Sequence, residues 1–363
     1  MKIGIMSMHR VKNLGSFMQA YGLKIIVESL GHNVIFIDYI DGEKNRDILN
    51  FKKKKTINKI RDKIQKMLRI RKVIRFKKDF NKYYNELYEK ESAKYLNITK
   101  KKCRDKCDVL IVGSDEVFNC LNNQYGFSDD AFGGYKNSDK IISYAASCGW
   151  TKYEFLTENQ REVLSKSVPN FSAISVRDRN TKEFISNFYN GEININLDPV
   201  LISDFSLFNK KSKKKIEEKY IIIYAYYNRI SSKEEISKIK KFAKQEKCKL
   251  VAIGSPQYWC DTYITISPYE IFSFFSSAQF VITDTFHGTI FSIRAHCKFL
   301  TIIRESNKNK LSDLLQRLSL EERMYNSGNI SEIIKKEVDY KKVESILAKE
   351  KDKAIKYLKE NLK

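Results

Sequence analysis

At 363 residues with 42% hydrophobic content, the chain can build two domains with their own cores, and it holds no apolar run of about 18 residues that would span a bilayer. The opening MKIGIMSMHR lacks the apolar core of a signal peptide, and seven scattered cysteines, with only Cys103 and Cys107 close together, argue against a disulfide framework or a zinc site, so a reducing cytoplasm is expected. The net charge is +23, and residues 51–107 alone hold 22 Lys and Arg against 6 Asp and Glu. Three readings of that charge stay open: lysine-solvated faces, peripheral contact with an anionic membrane surface at its inner face, and nucleic acid, which is the least supported because no binding module accompanies it.

Lys2–Met6 reads as a strand, 7–15 as a polar turn, and 16–30 as a helix with Phe17, Ala20, Tyr21, Ile25 and Leu30 at apolar positions and Gly31 at its end. Strand 34–37 closes a βαβ unit, but without the full G-x-G-x-x-G pattern a dinucleotide is not indicated. A lysine-rich insert over about 43–106 repeats apolar residues at helical spacing (Ile57, Ile60, Ile64, Met67, Leu68, then Phe76, Phe80, Tyr83, Tyr84), which predicts two amphipathic helices. The buried run 109–112 ends in Gly113-Ser114-Asp115. Strand 141–145 is followed by Ser147, Gly149 and Trp150, strand 171–176 by Arg177-Asp178-Arg179, and helix 180–189 leads to Asp198-Pro199. Each strand stops at polar residues, as when a ligand is held outside the carboxyl ends of a parallel sheet.

The charged run 209–219 reads as a linker. The expected division is an N-terminal Rossmann-like domain over 1–205 that carries the insert, a C-terminal one over 206–330, and a mixed-charge helical tail over 331–363, solvated and able to pack back across both. The second unit alternates strand 220–227, helix 232–246, strand 249–253, helix 268–277, strand 280–283, helix 287–296 and strand 299–303. Its centre is QFVITDTFHGTIFSIR (279–294), a buried strand running straight into a helix, with Asp284-Thr285 offering side-chain oxygens where the helix begins. The amides and dipole of that helix start favour an anion, and His287 in the turn can hold a phosphate or carry a proton. The alternative for His287 is a cap or a satisfied core residue.

Several separated motifs then align with one family. NLGSFMQAYGL (13–23), GSDEVFN (113–119), YAASCG (144–149), SVRD (175–178), LDPVL (197–201) and TDTFHG (283–288), with a weaker pattern at Asn309 and 314–323, make roughly residues 1–320 resemble the polysaccharide pyruvyl transferase family. Lys12 stands where a Gly usually precedes the Asn in that family, Glu116 and Phe118 where Gln and Trp are commoner, and Lys310 where Arg is frequent.

The resemblance implies an α/β fold of two Rossmann-like domains facing across a cleft, similar to the GT-B glycosyltransferase architecture. It also implies transfer of a pyruvyl group from phosphoenolpyruvate to two hydroxyls of a sugar or lipid-linked saccharide acceptor, forming a ketal, as part of polysaccharide biosynthesis for the cell envelope. Neither a metal nor a redox cofactor is required. On this reading His287, with Thr285, Gly288 and Thr289, holds the donor phosphate and serves as proton donor. Arg177 pairs with the donor carboxylate, or else forms a structural ion pair with Asp178 or Asp198. Asp115 is the candidate base with Ser114 beside it, or else a turn cap. Asn13, Gly15 and Ser16 shape the acceptor side, Tyr144 and Ser147 are weaker candidates, Asp284 orients His287 or caps its helix, and His9 is a further ligand candidate. Rival readings are a nucleotide-sugar glycosyltransferase of the same shape and an inactive binding protein that kept the fold.

Overall fold

The structure of the protein, a computed structural model, describes residues 1–42, 82, 84–122, 126–206 and 216–363. The helices expected over 57–80 and most of the 209–219 run lie outside those residues. Two parallel six-stranded sheets organise the rest. The first comprises β1 (Lys2–Met6), β2 (Asn33–Phe36), β3 (Cys107–Asp115), β4 (Ser138–Ala146), β5 (Ile174–Val176) and β6 (Ile193–Ile195), in the order β2-β1-β3-β4-β5-β6. The second comprises β7 (Tyr220–Tyr224), β8 (Lys249–Ile253), β9 (Thr262–Ile264), β10 (Phe280–Thr283), β11 (Phe299–Ile302) and β12 (Met324–Tyr325), in the order β12-β11-β10-β7-β8-β9. The helices between and after them are α1 (Leu14–Ser29), α2 (Glu158–Ser167), α3 (Arg179–Ile185), α4 (Pro199–Ile202), α5 (Lys233–Gln245), α6 (Ile271–Ser277), α7 (Phe286–Arg294), α8 (Lys308–Arg317), α9 (Ile330–Ile334) and α10 (Tyr340–Asn361).

Each sheet is covered on both faces, so its central strands are continuously apolar rather than alternating. β7, YIIIY, is buried at all five positions, and β3 is buried from Val109 to Asp115. Register then decides which turns meet. Met6 pairs with Val112, so the turns after β1 and β3 emerge side by side. Thr283 pairs with Tyr224, which does the same for the turns after β10 and β7. This is the Rossmann-like pair that the motifs implied.

The structure departs from the sequence reading or narrows it in four places. β5 is shorter than 171–176, because a 3-10 turn at Val168–Asn170 precedes it and only an isolated bridge joins Ala173 to Ile142. Asp198-Pro199 starts the short helix α4, with Asp198 accepting from the Val200 amide at 3.0 Å. The edge strands β9 and β12, three and two residues long, are too short to show a period in sequence. Finally, α10 is packed rather than solvated, the course across both units that the sequence also allowed: Ala354 and Leu358 are fully buried, the Tyr357 hydroxyl donates to the Ser143 carbonyl at 2.9 Å, and Lys353 donates to the Ile195 carbonyl at 3.0 Å. The chain thus leaves the second unit and returns to the first. One apolar cluster runs through both, from Ile3 and Phe17 to Ile222, Phe291 and Leu358. Among the described residues, no helix is long and apolar enough to cross a membrane.

Candidate active site

The site is assembled where the carboxyl-end turns of the two sheets meet, and α7 supplies its centre. Thr283 ends β10 by donating to the Tyr224 carbonyl at 2.6 Å, and Thr285 caps α7 by accepting from the Gly288 amide at 2.9 Å. A Cβ at Gly288 would come within 2.7 Å of both Thr285 Oγ1 and Tyr224, so this tight start admits only glycine. Thr289 turns its hydroxyl inward, to the Thr285 carbonyl and to Thr301, both at 3.0 Å. The polar groups of Thr285, Gly288 and Thr289 are therefore used within the turn. α7 still offers a ligand His287 and, by helical geometry, the first-turn amides of Phe286 and His287, which have no intrahelical acceptor.

His287 reaches across to the first unit. Its ring lies against the backbone of Gly15 in α1, where any Cβ would collide with the imidazole. Its Nε2 is 3.6 Å from Asp198 Oδ2, too long for a strong hydrogen bond but well within electrostatic contact. Asp198 also takes Arg177 Nη1 at 3.0 Å. Burial pushes the Asp198 carboxyl up, yet His287, Arg177 and the Val200 amide together hold it below the usual carboxylate range, so it is ionised at neutral pH. Arg177 is 3% exposed and stacks on Phe286 at 4.1 Å, and it lies 4.0 Å from Asp115 Oδ1. Its guanidinium makes the ion pair with Asp198 that the sequence offered as one of two readings, while its Nε has no hydrogen-bond partner among the described residues.

Asp115 ends β3 in a left-handed conformation, φ 75°, and accepts from Ser16 Oγ at 2.8 Å. Asn13 caps α1 by accepting from the Ser16 amide at 2.7 Å. Asn13, Gly15, Ser16, Asp115, Arg177, Asp198 and His287 therefore form one connected set drawn from both sheets. Other sequence candidates sit elsewhere. Ser114 is fully buried and donates to Gln19 at 2.6 Å. Tyr144 is fully buried and donates to the Leu197 carbonyl at 3.2 Å. Ser147 is spent on Asp178 at 2.8 Å. His9 is 1% exposed, against Asp38.

Asp284 neither caps α7 nor contacts His287. It is fully buried with Arg229 Nε at 3.2 Å and Arg304 Nε at 3.8 Å, and burial, opposed by those arginines, pushes it up to about 6. The sequence reading passed over Asp198 as a site residue, although LDPVL marked its place. It also could not join Glu116 to Lys310: these two departures from the family pattern are each other's ion partners across the sheets, and Lys310 holds Glu116 down at about 2 despite its burial.

A cleft of about 540 Å³ opens in front of His287, lined by Lys12, Asn13 and Gly15 from the first unit and by Tyr226, Ser255 and Thr285 from the second, among others. The model of the family described as polysaccharide pyruvyl transferase matches residues 13–306, a span that takes in every residue of the connected set. A comparison with curated proteins finds no match. Among solved structures, a UDP-GlcNAc 2-epimerase from Neisseria meningitidis bound to UDP-GlcNAc is similar over 100% of this chain and 99% of its own, at 10% identity and a TM-score of 0.49. The UDP-GlcNAc 2-epimerase from Methanocaldococcus jannaschii in complex with UDP-GlcNAc and UDP is similar over 99% of each chain, at 11% identity and a TM-score of 0.48.

Proposed function

We propose, on the premise that this chain belongs to the polysaccharide pyruvyl transferase family and is a transferase, that it moves a pyruvyl group from phosphoenolpyruvate onto two hydroxyls of a surface-polysaccharide sugar or its lipid-linked precursor. The observation that carries this reading is His287 at the floor of the cleft, seated on Gly15 with the ionised Asp198 against its Nε2. Asp198 stands against the ring nitrogen where it can orient the imidazole, and Arg177 keeps Asp198 charged.

In the reaction, His287 gives a proton to the donor's methylene carbon, and C2 becomes the electrophile. One sugar hydroxyl adds to C2 and loses its proton to Asp115. The C2–O bond to phosphate then breaks, and the second hydroxyl closes the ketal while inorganic phosphate takes up its proton. Lys12, which lines the cleft, and the α7 amides supply positive charge for the donor's phosphate and carboxylate.

Thermal unfolding with phosphoenolpyruvate, pyruvate, phosphate and a set of nucleotide sugars tests this. A ligand at about 100 times its dissociation constant adds roughly 2.7 kcal/mol. Stabilisation by phosphoenolpyruvate that weakens in His287→Ala is expected. Stabilisation by a nucleotide sugar and not by phosphoenolpyruvate would replace the reading with glycosyl transfer.

A further inference from the structure

Three of the seven exposed large hydrophobic side chains among the described residues, Tyr226, Tyr227 and Tyr258, lie just beyond the carboxyl ends of β7 and β8, so exposed aromatic surface concentrates beside the cleft. Tyr226, 53% exposed, lines that cleft with Gly254, Ser255 and His287. Its position is fixed from two sides. The buried Gln257 donates from Nε2 to the Ala225 and Tyr226 carbonyls, both at 3.2 Å, and the buried Trp259 indole donates to the Ile230 carbonyl at 3.2 Å. Arg229, anchored by Asp284 and by Ser306 Oγ at 2.7 Å, lies 5.4 Å from the Tyr226 ring. The phenol is within electrostatic reach of Glu116 and Asp115 from the first unit. Gln257 itself is buried and does not line the cleft, so its part is to hold the backbone that carries the ring.

We propose that Tyr226, with Asn13 and Ser255, forms a saccharide subsite in which a sugar ring of the acceptor stacks on Tyr226 and turns its hydroxyls toward Asp115 and His287. A pyranose has an apolar C–H face and a rim of hydroxyls. A tyrosine at the cleft edge meets the first, and the polar side chains of Asn13 and Ser255, which line the same cleft, meet the second. A nucleotide would also stack there, but among the described residues that line the cleft none is a carboxylate that would take a ribose diol. The naming of this sugar as the acceptor rests on the proposed reaction, whereas its binding does not.

The test is saturation-transfer NMR on the full chain with the methyl glycosides of glucose, galactose, mannose and N-acetylglucosamine, and separately with UDP. Wild type, Tyr226→Phe, Tyr226→Ala and Tyr258→Ala are compared, and phosphoenolpyruvate-dependent thermal shift is recorded for each. The expected result is at least one glycoside bound by wild type and by Tyr226→Phe, with about tenfold weaker binding in Tyr226→Ala, no loss in Tyr258→Ala, whose side chain lies outside the cleft lining, and an unchanged phosphoenolpyruvate shift. Equal glycoside binding in Tyr226→Ala, or none in wild type, overturns the subsite. UDP binding lost in Tyr226→Ala, with no glycoside bound, overturns it in favour of a nucleotide. Glycoside binding through Tyr226 with no phosphoenolpyruvate shift in wild type supports the subsite and removes the donor reading instead.

Discussion

Gly15 sits in the first turn of α1, where propensity alone would prefer alanine by roughly 1 kcal/mol. The imidazole of His287 occupies the volume that an alanine Cβ would need. In Gly15→Ala the roughly 1 kcal/mol that the helix gains offsets only part of the about 1–3 kcal/mol that the overpacked contact costs, so stability falls by up to about 2 kcal/mol while His287 is displaced. Misplacement on this scale costs on the order of 100-fold in rate. Phosphate release from phosphoenolpyruvate, measured beside the melting temperature, checks the split, and a variant with normal turnover would show that the Gly15–His287 contact is incidental. Asp284 gives a pH prediction. Its carboxyl is raised from 3.8 to about 6 by burial, so the protonated form is the one that the fold favours. Its contribution is complete below the unfolded value near 4 and is lost as pH rises through about 6, a swing of about 3 kcal/mol. Glu116, held down at about 2, acts with the opposite sign and only below its ordinary value of 4.5. Between pH 4.5 and 6.5, wild type should therefore gain stability relative to Asp284→Asn as pH falls. A flat difference in urea midpoints across that range would place the Asp284 carboxyl at its ordinary value.

The strand-to-helix turns were legible because each strand is a short β-branched run that stops abruptly at polar residues, and burial on both faces of a parallel sheet demands that pattern. The 280–283 and 249–253 strands match β10 and β8 residue for residue. The partners that those turns find across the cleft were not legible. Asp198 meets His287 and Glu116 meets Lys310 through the placement of one sheet against the other, and nothing in local periodicity encodes that placement. Nor did the pattern tell a hydroxyl that faces the ligand from one that builds the turn. Thr285, which the sequence offers both as an oxygen at the helix start and as a phosphate contact, is the cap of α7. Thr285→Ala should cost about 1 kcal/mol by loss of the cap. The donor's thermal shift should persist, because the amides of Phe286 and His287 remain. A variant of normal stability that no longer responds to phosphoenolpyruvate would instead give the hydroxyl a direct contact with the donor.

The two sheets are not independent bodies joined by a linker, since the apolar cluster that contains β1 and α1 also contains β7, α7 and the last turns of α10. His287 comes from one sheet, while Gly15 and Asp198 come from the other, so the site exists only while that shared core holds them together. α10 crosses between them, with Leu358 and Ala354 fully buried and Tyr357 tied to β4. Leu358→Ala removes apolar volume at this seam and should cost about 2–5 kcal/mol. The chain's two tryptophans report on opposite sides of the seam: Trp150 follows β4 in the first unit, and Trp259 is packed beyond β8 in the second. Single-tryptophan versions made with Trp150→Phe and Trp259→Phe therefore read each unit separately during denaturant unfolding. A shared core requires Leu358→Ala to move both reporters to the same lower midpoint, although Trp259 lies in an apolar cluster that does not include Leu358. If only the Trp150 transition moves, the units unfold separately, and the His287–Asp198 pairing would then depend on a ligand to draw them together.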